Sequence, residues 1–211
     1  MTADDSDARL SGDDGGPARE SRVAAAYLLI VNSADLAISI RFDAATKLAA
    51  LDREGGIRAF QTLAEAEKAA YDWRIKAIHA LTELDAGLGI DAYRTIARSL
   101  GFLPAKMPIV NAVAQLDRKA AAEILAEALA VNIGQLGSDP NLRGNRSYLD
   151  ATWGAASRLA EWNPEAAIDV LYEFAALPVA GEYRMAAADQ IAKLEAQADQ
   201  PDQPDQPRFT L

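Results

Sequence analysis

Apolar residues along this chain recur at the three- and four-residue steps of an amphipathic helix, and no segment sustains the alternation of a strand. One arrangement returns five times: a small or branched pair, a large apolar residue, a second one three positions later, then a polar residue. It reads Ala44-Ala45-x-x-Leu48-x-x-Leu51-Asp52, then Ala77-Ile78-x-x-Leu81-x-x-Leu84-Asp85 and Ile109-Val110-x-x-Val113-x-x-Leu116-Asp117. The fourth copy is Ala155-Ala156-x-x-Leu159-x-x-Trp162-Asn163 and the fifth Ala187-Ala188-x-x-Ile191-x-x-Leu194-Glu195. Successive copies start 33, 32, 46 and 32 residues apart, a period typical of stacked helical units.

Past each polar residue a second apolar stripe begins at constant offset. Ile57, Phe60 and Leu63 follow Leu51 as Ile90, Tyr93 and Ile96 follow Leu84, and as Ile168, Leu171 and Phe174 follow Trp162. The third copy is weaker, with Ala122, Leu125 and Ala128. Each unit therefore reads as two antiparallel helices, A then B. Asp52, Asp85, Asp117 and Asn163 stand where an N-cap would accept the first free amides of helix B, and Asn163-Pro164 adds proline at the first helical position. The apolar run Val23 to Val31 reads as a B-type helix ahead of the first full unit, and Tyr183 to Leu194 as a final A-type helix. One such pair exposes an apolar face, and stacking buries it.

The early basic residue of helix A, the Ala-Ala-x-x-Leu run and the Asn-Pro-Glu-Ala-Ala turn at Asn163 to Ala167 resemble HEAT-type repeats over about residues 38–195. The form is the short, alanine-rich bacterial one, close to the PBS-lyase-like family, and it is similar to arrays appended to some actinobacterial signalling NTPases. The resemblance implies an all-α, right-handed α-α solenoid of about five HEAT-like units. It also implies a non-catalytic protein-interaction scaffold or regulatory adaptor. A minority of such proteins are enzymes, so a chromophore-lyase-like enzyme or chaperone is the alternative, and a helical-repeat nucleic-acid binder a further one.

Composition narrows this. There is no Cys, which excludes thiol chemistry and Cys-based zinc sites, and a single His, His79, which argues against a multi-His metal centre or a Ser-His-Asp relay. The 46 alanines suit close helix packing. With 21 Lys+Arg against 31 Asp+Glu the net charge is -10, which opposes nonspecific nucleic-acid binding. No apolar run is long enough to span a bilayer, and the acidic start lacks the basic region of a secretory signal, so the expectation is a cytoplasmic protein without cofactor or metal. Residues 1–21 read as a disordered acidic tail, 22–195 as the helical array, and 196–211 as a disordered tail with Asp-Gln-Pro repeats.

Candidate chemistry is sparse. Ten residues before the last apolar residue of four of the copies lies a cation: Arg41, Arg74, Lys106 and Arg184, with Thr152 in the fourth unit. These form either a basic ladder for an acidic ligand or a set of ties to the carbonyl end of the preceding B helix, and their periodicity favours the ties. No phosphate-binding glycine loop is present: Gly87 and Gly89 lack the following Lys-Ser/Thr. The long spacing places an insertion loop at 133–147, with Arg143 and Arg146 as donors and Asn141 and Asn145 ordering its turns. Off the buried stripe, the second B helix shows Arg94 and Arg98, the third Glu123 and Glu127, and the fourth Glu165, Asp169 and Glu173. The expected partner is a protein, basic where it meets the third and fourth B helices, held by the concave B-helix face and the loop.

Overall fold

In the computed structural model residues 16–198 are described, and all regular secondary structure among them is α-helical. No described helix is long and apolar enough to cross a membrane. The chain divides into two compact units, one reaching to Ala92 and the other starting at Tyr93.

The first unit holds α1 (Gly16–Asn32), α2 (Ile38–Leu51), α3 (Arg53–Glu65) and α4 (Tyr71–Leu84), and α5 (Ala86–Ser99) begins in it. Consecutive helices α1 to α4 pack on one another, and α1 also meets α3 as α2 meets α4, giving two layers. The second unit holds the end of α5, then α6 (Leu103–Leu116), α7 (Arg118–Ser138), the short α8 (Pro140–Arg143), α9 (Arg146–Trp162), α10 (Pro164–Ala176) and α11 (Gly181–Ala198). Here α6 packs on α7, α7 on α9 and α10, and α10 on α11. The order is the one expected from the pattern, with α8 added.

The core follows the two stripes. The small pairs bury almost completely, save the exposed Ala188 of the fifth, and so do Leu48, Leu81, Val113, Leu159 and Ile191 one turn later. On the B side, Phe60, Leu63, Tyr93, Ile96, Leu125, Ala128, Leu171 and Phe174 are buried. The large residue beside the turn varies: Leu51 and Leu116 are 48% and 49% exposed, Leu84 and Trp162 are half-buried, and Leu194 is core.

Four turns share one backbone geometry. Asp52, Asp85, Asp117 and Asn163 precede the B helices in extended conformation, and each donates its amide to the carbonyl four residues back. Three cap as expected: Asp85 Oδ1 accepts from Leu88 N, Asp117 Oδ1 from Ala120 N and Asn163 Oδ1 from Ala166 N, at 2.9 to 3.1 Å. Asp52 departs from the expectation. It makes no side-chain cap, and one of its oxygens lies 3.9 Å from the Arg58 guanidinium.

Where the A and B helices cross, the residue five past the last apolar anchor is small every time: Gly56, Gly89, Ala121 and Ala167. A Cβ on Gly56 would lie 2.3 Å from the Cβ of Ala49, and one on Gly89 2.2 Å from Thr82 Oγ1. These two glycines let backbones approach where even a methyl group collides.

The basic residues serve as ties. Arg41 Nε donates to Val31 O at 2.7 Å, Arg74 Nε to Ala64 O at 2.7 Å and Arg184 Nε to Ala175 O at 2.9 Å. All three acceptors lie in the last turn of a B helix, where carbonyls lack amide partners. Arg53 likewise reaches the Leu84 carbonyl that ends α4.

Residues 133–147 are not a loop, and this corrects the expectation. Residues 133–138 continue α7, 140–143 form α8, and Arg146 already opens α9. The stripe Leu129, Ile133, Leu136 runs on and is buried. Burying two large aliphatic side chains contributes about 1.5–3 kcal/mol each. The outward-facing Gly134 and Gly137 cost only about 1 kcal/mol each relative to Ala, so the helix wins. Asp139 then stops it by accepting from Asn141 N at 2.9 Å, and Asn145 caps α9 by accepting from Tyr148 N at 3.1 Å.

The ends also need correction where they are described. Residues 16–21, placed in the acidic tail, belong to α1, and 196–198 belong to α11. Ala, Arg and Glu around the Val23–Val31 run favour helix, so it propagates N-terminally. The rest of both expected tails, with the Asp-Gln-Pro repeats, lies outside the described residues.

Candidate functional site

Arg94 and Arg98 stand one turn apart on α5, and Glu123 and Glu127 one turn apart on α7, so each pair occupies one helix face. The structure brings all four together within the second unit. Arg94 Nη2 donates to Glu123 Oε2 at 3.0 Å. Arg98 is bidentate: Nε donates to Glu127 Oε2 and Nη2 to Oε1, both at 3.0 Å. The hydrogen bond from Arg98 holds the Glu127 carboxyl below its ordinary pKa, against the opposing effect of partial burial, and the charges of Arg98, Arg94 and Lys106 add to the lowering. Reciprocally, Glu127 raises the pKa of Arg98.

This alters the expected surface. The basic second B helix and the acidic third one do not present separate fields, because they neutralise one another in two rungs. On α10, Glu165, Asp169 and Glu173 are exposed as expected, and no ion pair joins them to another described residue. Arg143 is half-buried on α8, and its Nε has no hydrogen bond among the described residues. Arg146 lies 3.9 Å from Glu182 of α11. Neither arginine lines the rungs. Of the two expected loop-ordering residues, Asn145 acts as a cap and Asn141 supplies an amide to Asp139.

Beside the rungs opens a cavity of about 590 Å³. Its floor is apolar, made by Ala97 of α5 with Ile124 and Ala128 of α7, and Ala130 and Val131 form the rim. Val131 is 54% exposed. Gln135, in the part of α7 expected to be loop, closes one end: its Nε2 donates to Gly101 O at 3.3 Å and its Oε1 accepts from Tyr148 OH at 2.8 Å. Lys106 of α6 also lines the cavity and is 5% exposed. It was expected as one more tie, yet among the described residues its ammonium makes no hydrogen bond and no ion pair.

The fourth unit solves the tie differently. Asn132 Nδ2 donates to Thr152 Oγ1 at 2.6 Å, and Thr152 Oγ1 donates to Tyr148 O at 2.8 Å. At the position where Val31, Ala64 and Ala175 offer open carbonyls, α7 runs on for two turns, so its carbonyls already have amide partners. An arginine there would find no acceptor.

Among the described residues no three His, Asp or Glu side chains sit together as a metal site, and His79 is exposed on α4. Of the aromatic side chains, Phe60 and Tyr93 are buried, while Trp73, Trp153 and Trp162 are half-buried. Phe42 meets Phe60 and Trp73 in tilted contacts with ring centroids 5.4 and 5.7 Å away. Comparison with known proteins finds no matching family model, no matching curated protein and no matching solved structure.

Proposed function

We propose that this chain is a non-catalytic protein-interaction scaffold or regulatory adaptor of the cytoplasm, built as a right-handed solenoid of about five HEAT-like helix pairs. Support for the repeat comes from three devices that recur at one register. These are the extended acidic or amide residue at the turn, the small residue at the helix crossing, and the arginine tie to the preceding helix end.

One observation carries the adaptor reading: the open groove beside the Arg94–Glu123 and Arg98–Glu127 rungs, whose floor is apolar and whose walls are charged. That is the composition of a protein-binding patch, an apolar centre within a polar rim. The rungs clamp α5 to α7 and keep the groove formed before a partner arrives, which reduces the ordering cost of binding.

The test is site-specific photocrosslinking of the full chain in a lysate of its source cells. A photoreactive residue at Val131 should yield a discrete protein adduct, and one at the exposed Met185 of α11 should not. If neither position, nor one on the exposed acidic face of α10, gives an adduct, the adaptor reading fails.

A further inference from the structure

Resting on the adaptor reading, we propose that the groove of the second unit takes a segment of a partner protein carrying one carboxylate among apolar side chains. The carboxylate meets the ammonium of Lys106, and an apolar neighbour lies on the Ala97, Ala128 and Val131 surface.

Lys106 is the starting point. Its carbon stem is packed away while the ammonium, which makes no hydrogen bond, is left to the cavity with the charge of Glu127 nearby, and a second anion brought into the cavity would gain from this cation. The residues at the same register in three other units, Arg41, Arg74 and Arg184, each donate to a carbonyl at a helix end. Lys106 makes no such bond and lines the cavity instead.

The acids nearby are committed. Glu127 gives both oxygens to Arg98, and Glu123 accepts from Arg94. Of the residues that line the groove, Arg94, Arg98 and Lys106 are cationic and Glu127 is acidic, so the lining is net positive. The neutral groups at its end offer no compensation, since both polar atoms of the Gln135 amide are engaged by Gly101 and Tyr148. A ligand that completes this set brings one negative charge.

The rest of the lining sets the ligand's other property. The floor is built from small apolar side chains, and Val131 exposes a large apolar surface at the rim. A bare inorganic anion would leave that surface wet, whereas a peptide with aliphatic residues flanking Glu or Asp covers it. The expected partner sign at this groove is therefore the opposite of that inferred from the acidic run on the third and fourth B helices.

The experiment pans a phage-displayed library of random dodecapeptides on the full chain. Enriched peptides are then made with a fluorescein label and measured by anisotropy. They should carry one Glu or Asp between apolar residues. Replacing that acid with its amide should weaken binding at least tenfold. Lys106→Met should do the same, and the two losses should not multiply when combined.

Val131→Asp and Val131→Lys, at an exposed position that leaves the fold untouched, should respectively weaken and strengthen binding several-fold. This opposite response remains readable even if the Lys106 variant fails to fold. Enriched peptides that are basic or lack an acid overturn the proposal, as does an equal response to Asp and Lys at Val131, or no enrichment at all. Peptides that bind but ignore every groove variant overturn the groove assignment while leaving the adaptor reading intact. That reading stands or falls separately, on the crosslinking from Val131, Met185 and the α10 face taken together.

Discussion

The buried pair Asn132–Thr152 offers a sharp test of how α7 is joined to α9. Asn132 is 2% exposed and Thr152 fully buried, with 2.6 Å between Nδ2 and Oγ1. The other amide atom, Asn132 Oδ1, is buried and has no hydrogen bond. Thr152→Val keeps the shape and removes the hydroxyl, which leaves both polar atoms of the Asn132 amide unpartnered. A buried polar group stripped of its partner costs about 1–3 kcal/mol.

Asn132→Leu works the other way. It removes an amide that is already half unsatisfied, and Thr152 keeps its own bond to the Tyr148 carbonyl. The expected change is between neutral and about 1 kcal/mol stabilising, because apolar replacement of a buried polar group of similar shape is tolerated. In the Asn132→Leu background the Thr152→Val penalty should nearly vanish, a coupling of about 1–3 kcal/mol between contacting residues. Urea unfolding followed by the fluorescence of Trp153 and Trp162, both in the second unit, measures this. With a slope of about 1–3 kcal/mol per molar, a loss of about 2 kcal/mol moves the midpoint by roughly 1 M. If Thr152→Val costs the same in both backgrounds, or if Asn132→Leu proves the more damaging change, the polar-pair argument is refuted.

The helix crossings predict opposite outcomes for one chemical change. Gly56→Ala and Gly89→Ala should each destabilise by more than about 1 kcal/mol, since the new methyl overlaps Ala49 or Thr82, whereas Gly154→Ala, with nothing within 4 Å, should stabilise by about 0.5–1 kcal/mol; melting midpoints of the three variants decide it. Arg74→Met should cost about 1–2 kcal/mol through the lost charged bond to Ala64 O, and the more exposed Arg184→Met should cost less, as read from denaturant midpoints. Because the folded Glu127 carboxyl is held below its reference value of 4.5, its contribution is complete above that pH and disappears as pH falls through the lowered folded value. Being substantially exposed, the pair contributes only about 0.2–1 kcal/mol, so the stability gap between the native chain and Glu127→Gln should narrow below pH 4.5; a gap independent of pH would contradict the role given to Arg98.

Much of the helical plan was legible because three signals coincided: the spacing of Leu48 and its equivalents, the turn residues Asp85, Asp117 and Asn163, and the period of the arginines. The end of α7 was misread because Gly134, Gly137 and Asp139-Pro140 look like a loop. Only the continued stripe through Ile133 and Leu136 argues for helix, and burial outweighs the glycine penalty. The rungs could have been found. Arg94 and Glu123 are 29 residues apart, as are Arg98 and Glu127, which is about one period less one turn. Lys106 could not be separated from Arg41 or Arg74 by sequence, since all occupy the same register. What distinguishes it is that it lines the cavity and makes no bond to a helix-end carbonyl, and no pattern of residue types records that.

The uneven third unit has a bearing on how the chain avoids folding out of step. Near-equivalent helix pairs invite mispairing, in which one B helix docks against the wrong A helix. Asn132 admits Thr152 as its neighbour. At the equivalent place the other A-type helices present Arg41, Arg74, Lys106 or Arg184. Docked against any of those, α7 would trap a long cation against an amide, and its carbonyls there already have partners. A lengthened helix and one swapped side chain thus act as an address within the array, one that penalises wrong neighbours more than it strengthens the right one.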